Sequence, residues 1–345
     1  MNSSPHEFDK SNLRQTIIDS PKQFEVGFGL ADGIKLEGDF SRIVFYGEGG
    51  SAFPSQLLEI IVRDYLERNG FSKMIPMVTN HGYHLIPESK DSATLNIFAS
   101  YSGNTEETVS TMQAAVGEKL SAIALASGGE IEKIAGDNGI PFVKLPIPNE
   151  GFQPRMGTGY FVASMAQILE NHGLVTGLVD EMKKSVSAIG KDMDDVEKKG
   201  VRLAGKIEGK TPVIYANEKY ARLAMVWKIK FNEHAKNPAF WNFFSELNHN
   251  EMIGFSNLGD KYFLIMLRDD EDDDRNLKRY EVTADLVGKK GVESEQLELA
   301  GKNTFERIFN SLIFADFTAY YLSEKNKVDP TPVEMVEDFK SKLKS

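Results

Sequence analysis

Two hydrophobic patterns alternate along the chain. Short runs rich in β-branched and aromatic residues read as strands: RIVFY (Arg42 to Tyr46), MIPMVT, TLNIFASYS, KLSAIALAS and PFVKLP. Between them, apolar positions recur at helical spacing in SQLLEIIVRDYLERNG, which Gly70 ends, and in TEETVSTMQAAVGE and GEIEKIAGDNG. GTGYFVASMAQIL (157–169) reads as a further helix. Strands alternating with helices at this spacing predict an α/β fold: a mainly parallel sheet flanked by helices, doubly wound and flavodoxin-like. The pattern starts again at TPVIYAN, with a helix through EKYARLAMVWKIKFNEHA, a strand at YFLIMLRD and a helix around RNLKRYEVTADLVGKKG. A strand at ESEQLELA and a long helix from Thr304 follow. The charged stretch between the two blocks predicts a solvated helical connector. The expected organisation is an N-terminal domain over 1–178, a connector over 179–210 and a similar C-terminal domain over 211–345.

Two turns stand out against this background. GEGGSAFPS (47–55) follows the strand RIVFY. A glycine-rich turn between a strand and a helix offers backbone N–H groups to an anion, yet this one carries the carboxylate of Glu48. SYSGNTEET (100–108) follows TLNIFA and places three hydroxyls, Ser100, Ser102 and Thr105, around a tight Gly103–Asn104 turn. That turn suits an anion at a helix N-terminus and suits an ordinary capped helix equally well.

Composition narrows the classes. The chain has 345 residues, enough for about two domains. A formal net charge of −11 argues against a broad nucleic-acid surface, while a local anion pocket needs only a few donors. The absence of cysteine removes disulfides, zinc–thiolate sites and thiol nucleophiles. The N-terminus is polar, and the most apolar stretch, RIFNSLIFADFTAYYL, contains Asn310 and Asp316, so it reads as a buried helix and not a membrane span. A cytoplasmic protein is expected. DDEDDD (269–274) reads as a solvated strand-to-helix loop, and the His81/His84 pair as loop residues and not a metal site.

The order GGS, SYSGNTEET, SGG and QPR, followed by FNEHAKNPAFWNFFSELNHNE, resembles the bifunctional phosphoglucose/phosphomannose isomerases, from about residue 40 to the C-terminus. The resemblance implies two sugar isomerase (SIS) domains and an aldose–ketose isomerase. It would interconvert glucose 6-phosphate, and mannose 6-phosphate as well, with fructose 6-phosphate through a cis-enediol, without metal or cofactor. By motif matching, Gly50, Ser51, Ser100, Ser102 and Thr105 hold the substrate phosphate. Arg155 of QPR stabilises the enediolate, and Glu233 of FNEHAK is the base. His249 of ELNHNE opens the sugar ring, and Lys340 near the C-terminus enters the site, with Lys342 and Lys344 close by. His234 is expected to be structural. The resemblance also implies a homodimer, with His249 donated across the interface.

The first loop departs from the family pattern. Glu48 replaces an apolar residue and is expected to turn away from the phosphate, with the Gly50 and Ser51 N–H groups facing inward. Phe53, Pro54 and Ser55 replace a run of small residues, and Phe53 is expected to narrow the sugar pocket. Two alternatives stay open: a sugar-phosphate-binding regulator on the same fold, and an isomerase of another phosphorylated sugar.

Overall fold

The computed structural model describes residues 5–257 and 261–343. The chain forms two compact units. The first spans Asp19–Ile189. The second holds the chain from Gly190 onward together with the segment that ends at Ile18. These limits differ from the expected boundaries at 178 and 210. The N-terminal segment, with helix α1 (Leu13–Asp19), is tied to the second unit: the His6 N–H donates to the Tyr320 hydroxyl at 3.1 Å. The Arg14 guanidinium meets both oxygens of Glu197 at 2.6 and 2.7 Å.

In the first unit, strands β1 (Arg42–Tyr46), β2 (Met77–Asn80), β3 (Thr94–Ala99), β4 (Ala122–Ala126) and β5 (Phe142–Lys144) are all parallel, in the order β2-β1-β3-β4-β5. Every residue of β3 and β4 is buried, as expected for strands covered on both faces. The covering helices include α2 (Lys22–Leu30), α3 (Phe53–Arg68), α4 (Glu106–Gly117), α5 (Gly129–Asn138), α6 (Thr158–Asn171) and α7 (Leu178–Ser185). Pro54 sits in the first turn of α3, where its missing N–H breaks no helical bond. β1 and β3 are neighbours, but the chain leaves β1 toward β2 and leaves β3 toward β4. The loops after the two strands therefore diverge and open a crevice at their C-terminal ends.

The second unit repeats the scheme with four parallel strands. They are β6 (Thr211–Asn217), β7 (Phe240–Phe244), β8 (Tyr262–Arg268) and β9 (Glu293–Glu298), in the order β7-β6-β8-β9. Its helices include α8 (Met193–Ile207), α9 (Ala221–Glu233), α10 (Asp274–Gly288), α11 (Thr304–Lys325) and α12 (Glu334–Leu343). Among the described residues no helix is long and apolar enough to cross a membrane, and α11 is the buried helix that RIFNSLIFADFTAYYL predicted. The expected solvated connector is divided: α7 belongs to the first unit and α8 to the second. α8 buries Leu203, Ala204 and Ile207, an apolar stripe that the surrounding charges masked.

The crevice between β6 and β8 is filled by the chain's own side chains. Asp269 is only 4% exposed and accepts bonds from the Tyr220 hydroxyl at 3.0 Å and from Arg307 at 3.2 Å. Asp272 accepts from Asn217, and Asp273 caps α10 through the Arg275 N–H. DDEDDD is thus a capping loop, as its sequence predicts, except that its first carboxylate is buried.

Candidate active site

The crevice of the first unit gathers the residues singled out in the two turns. After β1, Gly49–Ser51 form a single helical turn, closed by the Ser51 N–H donating to the Glu48 carbonyl at 2.9 Å. That N–H is therefore spent within the turn and does not face inward as expected. Ser51 is buried, and its Oγ accepts the Tyr101 N–H at 2.9 Å. This contact joins the loop after β1 to the loop after β3 and leaves the Ser51 hydroxyl proton to donate.

In the second loop, the Ser100 and Thr105 hydroxyls lie 2.8 Å apart, and the Thr105 N–H donates to Ser100 Oγ at 3.3 Å. Ser102 is exposed, and its Oγ accepts the Asn104 N–H at 3.3 Å. Thr105 immediately precedes α4, so the paired hydroxyls sit where the helix presents its first N–H groups. The turn is close-packed from behind: the Gly103 carbonyl accepts the Ile131 N–H at 3.0 Å, and Asn104 Oδ1 accepts the Glu130 N–H at 3.1 Å.

Arg155 lies in the short turn Pro154–Met156 and is 1% exposed, an unusual degree of burial for an arginine. The backbone at Arg155 runs against Gly50: a Cβ on Gly50 would lie 2.6 Å from the Arg155 nitrogen. Gly50 is therefore the residue that lets these two turns touch. Tyr101, between the two serines, secures the other side. Its hydroxyl donates to the Pro146 carbonyl, and its ring lies 5.5 Å from that of Phe152. Burial pushes the Tyr101 phenol well above its ordinary pKa, so it stays a neutral donor. Sequence reasoning passed over Tyr101. No local pattern marks it, because SYS lies beyond the end of β3 and Ser100 is as buried as Tyr101.

Two residues of the first loop carry expectations of their own. Glu48 turns onto the segment after β2: its carboxylate accepts the Gly82 N–H at 2.9 Å and lies 3.1 Å from His81 Nδ1. Phe53, the first residue of α3, is 1% exposed, as deeply buried as Arg155. Among the described residues no group of three or more His, Cys, Asp or Glu side chains could hold a metal ion.

The second unit carries the other matched residues on three separate elements. Glu233 is the last residue of α9 and is partly exposed; its carbonyl accepts the Lys236 ammonium at 2.6 Å. The adjoining His234 is fully buried, as a structural residue should be. Its ring reaches Asp316 Oδ1 at 3.2 Å and the Pro330 carbonyl at 3.2 Å. The Lys230 ammonium meets the same Asp316 oxygen at 2.9 Å. Burial alone would raise the Asp316 carboxyl, but the Lys230 charge and the His234 contact hold it below the ordinary aspartate range. The network locks the end of α9, and hence Glu233, onto α11. His249 is exposed at the end of the turn Glu246–His249. Its neighbours are anchored: Asn248 bonds Thr283 and Arg279, and Glu251 accepts from the Tyr215 hydroxyl and from Asn242. Lys340 is exposed on α12 and pairs with Glu337 at 2.9 Å; Lys344 lies outside the described residues.

A protein from Caldicellulosiruptor bescii named bifunctional phosphoglucose/phosphomannose isomerase is 33% identical over 336 residues, covering 93% of this chain and 95% of that protein. The chain belongs to that family. Residues 196–343 match the model of the bacterial phospho-glucose isomerase C-terminal SIS domain. A Sulfolobus acidocaldarius protein named D-glucosamine-6-phosphate 4-epimerase is 30% identical over 252 residues, covering 71% of this chain and 72% of that protein. Among solved structures, the C-terminal domain of glucosamine-fructose-6-phosphate aminotransferase from Francisella tularensis superposes with a TM-score of 0.70. It is 12% identical and covers 95% of this chain and 99% of that chain, a likeness of fold. A phosphoglucose/phosphomannose isomerase fold of two SIS-type units accounts for both parallel sheets.

Proposed function

We propose that the chain is an aldose–ketose isomerase that interconverts glucose 6-phosphate and mannose 6-phosphate with fructose 6-phosphate. Full-length similarity to a named phosphoglucose/phosphomannose isomerase carries the reading. The hydroxyl-lined crevice of the first unit supports it. Ser51, Ser100, Ser102 and Thr105, with the close approach at Gly50, form a neutral donor set for a phosphate dianion at a helix N-terminus.

In this mechanism His249 moves the proton that opens the sugar ring, from O1 to the ring oxygen, which suits an imidazole, whose two nitrogens can accept one proton and donate another. Glu233 takes the C2 proton, and the electron pair left behind forms the C1–C2 double bond of a cis-enediolate. Arg155, a fixed cation, stabilises the oxyanion. The same carboxyl returns the proton to C1 while the O2 hydroxyl proton passes to the O1 oxyanion, so that C2 becomes the carbonyl of the ketose and O1 its hydroxyl. Lys340 lies close to the substrate in this scheme. No step requires a metal, so activity persists in chelator. The working form is a cytoplasmic homodimer whose His249 reaches the partner's site, a role that suits its exposed position.

The test is incorporation of deuterium at C2 of the hexose phosphate during turnover in deuterated water. Glu233→Gln should lower both turnover and exchange by about 10²-fold or more. Wild-type rates in that variant would sink the assignment. The 4-epimerase relative favours a second reading, action on a hexosamine 6-phosphate. A panel of phosphorylated hexoses and hexosamines separates the two.

A further inference from the structure

The segment 81–84, which follows β2, touches both walls of the crevice from outside. At its near end the Glu48 carboxylate holds the Gly82 N–H at 2.9 Å and faces His81 Nδ1 at 3.1 Å. Glu48 directly precedes Gly49–Ser51, the first wall. At its far end the Ser110 hydroxyl donates to the Tyr83 carbonyl at 3.1 Å, and the Tyr83 hydroxyl reaches Glu106 at 3.4 Å. Glu106 and Ser110 lie on α4, directly after Ser100–Thr105, the second wall. Asn80 closes the segment on itself by donating to the His84 carbonyl at 3.0 Å. β2 is the outer strand beside β1, so a chain leaving it must pass the end of β1 to reach α4.

We propose that 81–84 is a strap that sets the spacing of the two phosphate-binding walls, with Glu48 and Ser110 as its positioning residues. This gives a role to Glu48, the residue that departs from the family pattern. Its side chain anchors the strap while its backbone closes the Ser51 turn. The effect falls on substrate affinity and not on proton transfer, because the strap ends on the phosphate loops. The proposal rests on the reading of those loops as the phosphate site.

The experiment measures KM for hexose 6-phosphate, kcat, and inhibition by inorganic phosphate in wild type, Glu48→Ala, Glu48→Gln, Ser110→Ala and the Glu48→Ala/Ser110→Ala double variant, with melting curves for each. Glu48→Ala should raise KM and the phosphate inhibition constant together by about fivefold to tenfold, with kcat within about twofold. Glu48→Gln keeps a neutral acceptor for the Gly82 N–H and should recover part of that loss. The double variant should be little worse than the weaker single, because cutting either end frees the same strap. Unchanged KM and phosphate inhibition in well-folded single variants, or strictly additive losses, would overturn the strap. Wild-type enzyme insensitive to inorganic phosphate would instead overturn the phosphate-site reading beneath it.

Discussion

Gly103 gives the sharpest test of how the crevice is built. Its φ is +71°, and a Cβ there would lie 1.7 Å from the Gly128 carbonyl oxygen and 2.6 Å from its carbon. Alanine in that backbone conformation costs about 1–2 kcal/mol. The overlap is with main chain on both sides, so the two loops must part by more than an ångström, adding about 1–3 kcal/mol by the usual cost of overpacking. Gly103→Ala should therefore destabilise the first unit by about 3 kcal/mol, a melting temperature lower by about 6–12 °C for a unit of this size. Displacing Ser100, Ser102 and Thr105 by that distance should raise KM about tenfold or more. Gly117, at the end of the same α4, is the control: a Cβ there meets nothing within 4 Å. Gly117→Ala should be neutral or stabilising by up to about 1 kcal/mol. Circular dichroism melts and steady-state kinetics on the two variants suffice. A Gly103→Ala protein melting within about 2 °C of wild type with unchanged KM would refute the packing argument.

If His249 is donated across a dimer, equal mixing of Glu233→Gln and His249→Ala subunits, after dissociation and reassociation, should restore about one quarter of wild-type activity. Half of the dimers are then mixed, and each has one complete site. A mixture as inactive as its components would place both residues in the site of a single chain. Asp316→Asn removes the carboxylate that faces the buried Lys230 ammonium and should cost about 3–5 kcal/mol at neutral pH, read from urea denaturation. Because the folded Asp316 carboxyl is held below its ordinary value, its contribution is complete above about pH 4 and is lost as pH falls through the lower folded value. The gap between wild type and Asp316→Asn should accordingly shrink in acid; a constant gap would contradict the linkage.

What could be read from the sequence was local. RIVFY, TLNIFA and AIALA are short, apolar and bounded by turn residues, and the serine and glycine turns announce themselves by composition alone. Parallel pairing of β1 with β3 then brings those turns together, so the crevice was legible once the doubly wound order was. β7, FWNFF, was not: it is an edge strand of bulky residues with no alternation of apolar and polar positions. The Lys230–His234–Asp316 network left no trace either, since its carboxylate sits 82 residues beyond the histidine. The burial of α8 was hidden because Glu197, polar in sequence, is satisfied by Arg14 and Tyr321 from the two ends of the chain.

That last pairing sets the order in which the molecule can be made. The residues up to Ile18 leave the ribosome ahead of both sheets, but their partners at Glu197, Tyr320 and Ser323 come far later. The unit from Asp19 to Ile189 is contiguous and can fold while synthesis continues, whereas the other cannot close until its long helix has emerged. His6 and Arg14 therefore wait, exposed, through most of translation. Fusions or deletions ahead of Asp19 should show their damage in the unit that is finished last.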